Sequence, residues 1–218
     1  MTIVTPSYWL ANLVKSSFLQ DYPTRVIPNG IDLDIFSPSA APQFKMANKK
    51  ILLGVANVWD KRKGLDFFLQ LSSILPDYFH IVLIGVSKQQ QKELTSKYLN
   101  KITAITRTNN QKELAEWYSS AYAFVNPTLE DNFPTTNLEA LACGTPVIPF
   151  NTGGSPESIT SDCGIVVEKT DLQKLKEAIL SLESKTEITS SSCRKQAMKY
   201  NKNTLFQQYI NLYSTLID

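Results

Sequence analysis

Two carboxylates and a helix start define the chemistry open to this sequence. Asp131 lies eight residues before Glu139, and Thr135 lies four before it. Residues four apart share a helix face, so Thr135 and Glu139 point the same way. Asp131 falls in a polar loop with Glu130 and Asn132, just ahead of that helix. The first backbone N–H groups of a helix have no partner within it, and the helix dipole favours an anion there. The acidic groups would repel a phosphate but would accept hydrogen bonds from sugar hydroxyls. A ligand that carries both phosphates and hydroxyls is a nucleotide sugar.

The flanking residues supply the elements that hold these groups. Ala121 to Val125 is an apolar run closed by Pro127, with the length and composition of a buried strand. Pro134 suits the first helical position, where its missing N–H is of no consequence. Leu138, Leu141 and Ala142 recur at helical spacing, and Gly144 stops the helix. Thr145 to Phe150 is a second apolar run, followed by Gly153–Gly154. Both loops therefore follow the C-terminal end of a strand, the edge at which open parallel sheets bind ligands.

The run LEDNFPTTNLEALACGTPVI, with GGSPE after it, resembles the signature of the family-four retaining glycosyltransferases of GT-B fold. The resemblance implies that Asp131 contacts the donor sugar and Glu139 the nucleotide ribose. The first acid is commonly Glu; Asp131 is one methylene shorter, and Glu130 beside it competes for the role. In that family an Arg and a Lys six residues apart hold the donor diphosphate. Lys63 matches the lysine, whereas the arginine position falls on Asn57, leaving Arg62 or Lys61 to supply the second positive charge. The family pattern further implies base contact at Thr106 and Arg107, and backbone approach to the ligand at Gly153 and Gly154. Lys63, with the N–H groups near Thr135 and Thr136, would stabilise leaving-group charge, and no metal or other cofactor is required.

The rest of the chain fits this frame. VTPSYWL and VIPNGID resemble the last strand, helix and strand of an acceptor-side domain leading into a linker. Residues 1–38 are expected to be a remnant of that domain with its linker, and residues 39–218 a nucleotide-sugar donor-binding domain. KILLGV (Lys50 to Val55), HIVLIG (His80 to Gly85), ITAIT (Ile102 to Thr106) and GIVV (Gly164 to Val167) read as strands. Helical stretches alternate with them: Tyr8 to Leu19, one after Gly64, Ser87 to Tyr98, Asn110 to Ser119, Asp171 to Leu182 and two more at the end. The fold class expected is α/β: a doubly wound parallel sheet with helices on both faces, the Rossmann-like C-terminal half of a GT-B fold.

Composition excludes several classes. Hydrophobic residues make up 43% and charged residues 19%, with a formal net charge of +2. That balance and the lack of a basic run with aromatics argue against nucleic-acid binding. No stretch reaches the roughly 18 to 20 apolar residues of a membrane span, and Met1 to Leu10 has no signal-peptide pattern. Cys143, Cys163 and Cys193 stand far apart, without metal-ligand spacing, which suits a reducing cytoplasm. Asp32 and Asp34 form a D-x-D triplet, but one following PNG in the linker rather than a metal site. His80, the only histidine, opens a strand and reads as structural; the family's catalytic histidine would lie before residue 1. No G-x-G-x-x-G follows the strand at Lys50 to Val55, which argues against a dehydrogenase.

Transfer of a sugar from a nucleoside diphosphate donor to a saccharide or lipid-linked glycan, as in polysaccharide biosynthesis, is the expected activity of the whole enzyme. Alone, the chain is expected to show little transfer. A nucleotide-sugar epimerase or hydrolase of similar fold and a non-catalytic nucleotide-sugar-binding module are the rival readings. Residues 1 to about 30, parted from their sheet, would pack on their own domain or on a second chain in a homodimer. Membrane-surface association would come through an N-terminal domain ahead of residue 1.

Overall fold

A computed structural model describes residues 1–217 of the chain. Ile3–Thr5 (β1), Tyr8–Lys15 (α1) and Thr24–Val26 (β2) come first, with β1 and β2 paired in parallel as a two-stranded sheet. The main sheet follows. Its strands are Lys50–Val55 (β3), Phe79–Ile84 (β4), Ile102–Ile105 (β5), Ala123–Asn126 (β6) and Val147–Pro149 (β7). They run parallel in the order β5-β4-β3-β6-β7. The connecting helices are Leu65–Ile74 (α2), Lys88–Tyr98 (α3), Gln111–Ser120 (α4) and Thr135–Ala142 (α5). Leu172–Ser181 (α6), Ser190–Met198 (α7) and Lys202–Ile217 (α8) complete the chain.

Alternation along the strands divides the core into two layers. Leu52, Ile81, Leu83, Val125 and Ile148 face one side, where Phe68 and Leu71 of α2, Leu94 of α3 and Ile179 of α6 cover them. Ile51, Leu53, Val82, Ile84 and Phe124 face the other, against Trp117 and Tyr118 of α4, Leu138 and Leu141 of α5, and Ala197 of α7. Each fully buried side chain of this size contributes about 1.5–3 kcal/mol through burial. The doubly wound sheet expected from the sequence is thus the fold. The chain winds outward from β3 to β5, returns across the sheet, and winds outward again from β6 to β7.

Four local readings change. Pro134 is the N-cap of α5 rather than its first helical residue, because its ψ of 120° is still extended. The helix expected over Tyr8 to Leu19 stops at Lys15, where the Ser16 and Ser17 hydroxyls bond back to Asn12 O and Val14 O. Gly164 to Val167 makes only isolated bridges to Val147 and Phe150. Pro149 lies between those bridges and has no N–H to continue the ladder. On α8, Leu205, Tyr209, Leu212 and Leu216 fall at 0, 4, 7 and 11, a spacing that predicts one apolar face; Leu205 is buried, but Leu216 is 56% exposed.

The first 36 residues are stitched to the main body. Glu157 accepts from the Tyr8 and Trp9 N–H groups at 2.8 and 2.7 Å, while Ser7 Oγ accepts from Leu10 N at 3.1 Å. Three of the four orphan donors of α1 are thereby satisfied. Ile31 exchanges backbone bonds with Tyr200 and Lys202, and the Asp32 carboxylate pairs with the Lys202 ammonium. Asp32 Oδ1 also accepts from the Asp34 and Ile35 N–H groups, which accounts for the first carboxylate of the triplet without a metal. The Arg194 guanidinium binds the carbonyls of Leu33, Phe36 and Ala142. Phe44, in the irregular segment before β3, stacks on Trp117 with centroids 3.8 Å apart.

Glu157→Gln turns an N–H₂ group toward a helix N–H. It is expected to lower stability by about 1 kcal/mol in urea denaturation and to speed amide exchange at Tyr8 and Trp9. Unchanged exchange at both amides would show that Glu157 does not hold this helix.

Candidate functional site

A cavity of about 680 Å³ opens where the strand order reverses, between the C-terminal ends of β3 and β6. Val55 and Asn126, at those two ends, both line it. Open α/β sheets bind ligands at this switch point because crossovers leave it in opposite directions and nothing covers it.

Lys63 is delivered by a loop folded against the end of β6. Asp60 Oδ1 accepts from Lys63 N at 2.9 Å, and Leu129 N donates to Arg62 O at 2.7 Å. Gly64, at φ 78°, sits so close to Pro127 that an added Cβ would lie 2.2 Å from its carbonyl oxygen. The Lys63 ammonium therefore crosses the cavity mouth and meets Asp131 Oδ2 at 2.6 Å. Both side chains keep some solvent contact, so this pair is modest in strength and can exchange partners.

The Asp131 loop is held by close backbone packing. A Cβ on Gly153, at φ 55°, would lie 2.0 Å from Asp131 O, and one on Gly154 would lie 1.8 Å from Asn132 O. Gly154 N donates to Asp131 O at 3.1 Å, and Asn29 Nδ2 donates to Phe133 O at 3.0 Å. Then α5 begins. Pro134, Thr135 and Thr136 line the cavity, and Pro134 has no side-chain oxygen to close over the first amides. The helix start is left open on the cavity side, as an anion site requires.

One turn further, Glu139 reaches the cavity from α5. Burial raises its pKa above the ordinary carboxyl range, and the hydrogen bond from Tyr118 pulls it back down. The Tyr118 hydroxyl donates to Glu139 Oε2 at 2.9 Å. Asn126 Nδ2 donates to Asn137 Oδ1 at 2.8 Å, and Asn137 Nδ2 to Ser155 O at 3.1 Å, a buried chain that ties the end of β6 to α5.

Asp131, Lys63, Glu139, Arg62, Asn57, Thr135 and Thr136 all line one cavity. The other sequence candidates do not. Glu130 lies outside it and uses its carbonyl to accept from Arg62 Nη1 at 3.1 Å. Gly153 and Gly154 approach the Asp131–Asn132 backbone rather than the cavity, so they shape the site from behind. Gly85 likewise approaches the Ala56 carbonyl. Thr106 and Arg107 are not among the lining residues; Gln111 and Leu114, one turn and less into α4, stand on that wall instead. Asn29 and Phe36 come from the segment read as a linker. Of the residues unmarked in the sequence, Asn126 carried a signal, being a polar residue at the end of an apolar strand. Tyr118 carried none, since its place in an aromatic stripe reads as core. His80 is structural: Nε2 lies 2.9 Å from Thr103 Oγ1, and burial lowers its pKa.

Residues 49–185 match the family model described as "Glycosyl transferases group 1". The match covers more than half of the chain, and the chain belongs to that family. A probable sucrose-phosphate synthase of Thermosipho melanesiensis is 28% identical over 202 residues, covering 86% of this chain and 46% of that protein. The chain thus spans about half the length of this curated relative. Among solved structures, sucrose-phosphate synthase from Thermosynechococcus elongatus superposes with a TM-score of 0.86 at 24% identity, over 99% of this chain and 58% of that one. Anabaena HepE in complex with UDP-glucose gives a TM-score of 0.82 at 19% identity, over 98% and 64% respectively. These likenesses bear out the Rossmann-like half of a GT-B fold.

Gly153→Ala places a side chain in the left-handed region and against the Asp131 carbonyl. It is expected to destabilise the protein by about 1–3 kcal/mol in urea denaturation. A variant as stable as the parent would mean that this loop does not lean on the Asp131 backbone.

Proposed function

We propose that this chain is the donor-binding half of a retaining glycosyltransferase and grips a nucleoside diphosphate sugar at the β3/β6 switch point. One observation carries the reading: Lys63, Asp131, Glu139 and the uncapped start of α5 converge on a single cavity. Lys63 and the amides at Thr135 and Thr136 take the diphosphate, and Glu139 takes the ribose hydroxyls. Asp131 orients the donor sugar. As the bond to the anomeric carbon breaks, negative charge grows on the diphosphate, where the cation and the amides already stand. This needs no metal. Asn57 brings no charge, so Arg62 is the second cation available to the diphosphate, after release from the Glu130 carbonyl.

Family membership favours transfer over epimerisation or hydrolysis, and a UDP-glucose complex of the Anabaena neighbour favours a nucleotide-sugar donor. In the whole protein the acceptor is a saccharide or lipid-linked glycan. Among the described residues no helix is long and apolar enough to cross a membrane. The three cysteines are free and buried, which suits the cytoplasm.

Calorimetric titration with UDP, GDP, ADP and their sugar conjugates tests the reading. Lys63→Ala and Glu139→Ala are each expected to weaken binding about tenfold or more, the loss of a hydrogen bond to a charged group. Asn57→Arg is expected to tighten diphosphate binding by a similar factor. Unchanged affinity in both alanine variants would place the donor elsewhere.

A further inference from the structure

Beyond the residues that touch the cavity, one fully buried group is aimed at a carboxylate that lines it. Tyr118 has no exposed surface, yet its hydroxyl reaches Glu139 Oε2 at 2.9 Å. The ring is confined by edge contacts with Phe36 at 6.2 Å and Phe124 at 5.4 Å. Its carbonyl accepts from Thr145 Oγ1 at 2.6 Å, which fixes the backbone behind it. The hydroxyl has one proton to give, and Glu139 receives it.

We infer that Tyr118 is a positioning residue of the nucleotide site: its hydroxyl holds one carboxylate oxygen of Glu139, so that the other is presented to the ribose hydroxyls. The inference deepens the donor-site reading and rests on it. A glutamate has three side-chain torsions, and one that swings freely would lose conformational entropy on binding. A carboxylate already bonded at one oxygen presents the second with most of that ordering done.

The surrounding charges do not supply this hold. Across the cavity Lys63 is engaged with Asp131. Arg194 of α7 spends its guanidinium on three carbonyls. Cys143, beside α5, has its thiol pushed up to about 12 by burial, with Glu139 and Glu116 of α4 adding to the rise. Tyr118 is itself held well above its ordinary value by burial, so it stays a donor across the working pH range.

Glu139 must be ionised to accept from both ribose hydroxyls, so binding falls as pH drops through its pKa. The Tyr118 bond lowers that pKa. Removing the hydroxyl raises it, and the acid limb of the binding profile moves to higher pH.

The experiment titrates the chain with UDP, GDP and ADP, and with the 2′-deoxy form of whichever binds, from about pH 4, the ordinary range of a glutamate carboxyl, up to about pH 8. Tyr118→Phe is expected to bind severalfold more weakly near neutrality, to lose discrimination against the deoxy form, and to shift the acid limb upward. In a Glu139→Gln background the same change is expected to have no further effect. Glu139→Asp, which draws the carboxylate away from an intact Tyr118, is expected to show the same loss of discrimination without altering the tyrosine. Tyr118→Phe with parental affinity and acid limb, or a loss as large in the Gln background, would overturn the inference while leaving the donor site standing. Failure of the parent chain to bind any of the three diphosphates would overturn both.

Discussion

Everything in the site depends on a topological constraint. A parallel sheet that winds outward in both directions must have one place where neighbouring strands send their crossovers to opposite faces. Here that place is between β3 and β6. The loop after β3 leaves toward α2 on one face, and the loop after β6 leaves toward α5 on the other. Each loop brings what the other lacks: Lys63 from the first, Asp131 and an open helix start from the second. Gly64 against Pro127 and Gly153 against Asp131 then close the two loops to distances that no side chain would permit.

The charge balance of the cavity follows from this meeting. Its lining carries two cations, Arg62 and Lys63, and two carboxylates, Asp131 and Glu139. Lys63 and Asp131 neutralise each other, and Arg62 donates to the Glu130 carbonyl. On the proposed function, a diphosphate would compete with Asp131 for Lys63 and leave Asp131 to the sugar. The helix amides have no such competitor, since Pro134 offers no capping oxygen. In the proposed donor site they are the part already open to an anion, and Lys63 is the part that must leave Asp131.

Much of this was legible because it rests on short-range pattern. Apolar runs gave β3, β4, β5 and β6 to within about two residues, and the spacing of Asp131 and Glu139 put both on one cavity. What escaped depends on contacts distant in sequence. The glycine pair after β7 resembles a ligand loop, but whether its backbone meets ligand or protein depends on where the Asp131 loop lies. Pro149 broke a ladder that the composition of its apolar neighbours predicts, since one absent N–H outweighs hydrophobicity in a backbone ladder. Phe36 and Asn29 reach the site only because Arg194 and the turn before α8 fasten their segment to the body. Tyr118 was hidden for a related reason: a core aromatic and a positioning hydroxyl are the same residue, and only the partner of its oxygen tells them apart.

The two carboxylates show how environment divides one chemistry into two roles. Asp131 faces an ammonium at a partly wetted mouth, where an ion pair is weak enough to open to a competing anion. Glu139 sits deeper, where leaving a carboxylate oxygen without a partner is costly, and a neutral hydroxyl satisfies it without cancelling its charge. An ammonium in place of Tyr118 would hold Glu139 as firmly but would blunt it as an acceptor. A hydrocarbon there would favour its protonated form and turn an acceptor of two hydroxyl bonds into a donor of one. A phenol holds one oxygen of this glutamate without cancelling its charge, which suits the proposed recognition of a vicinal diol at this cavity.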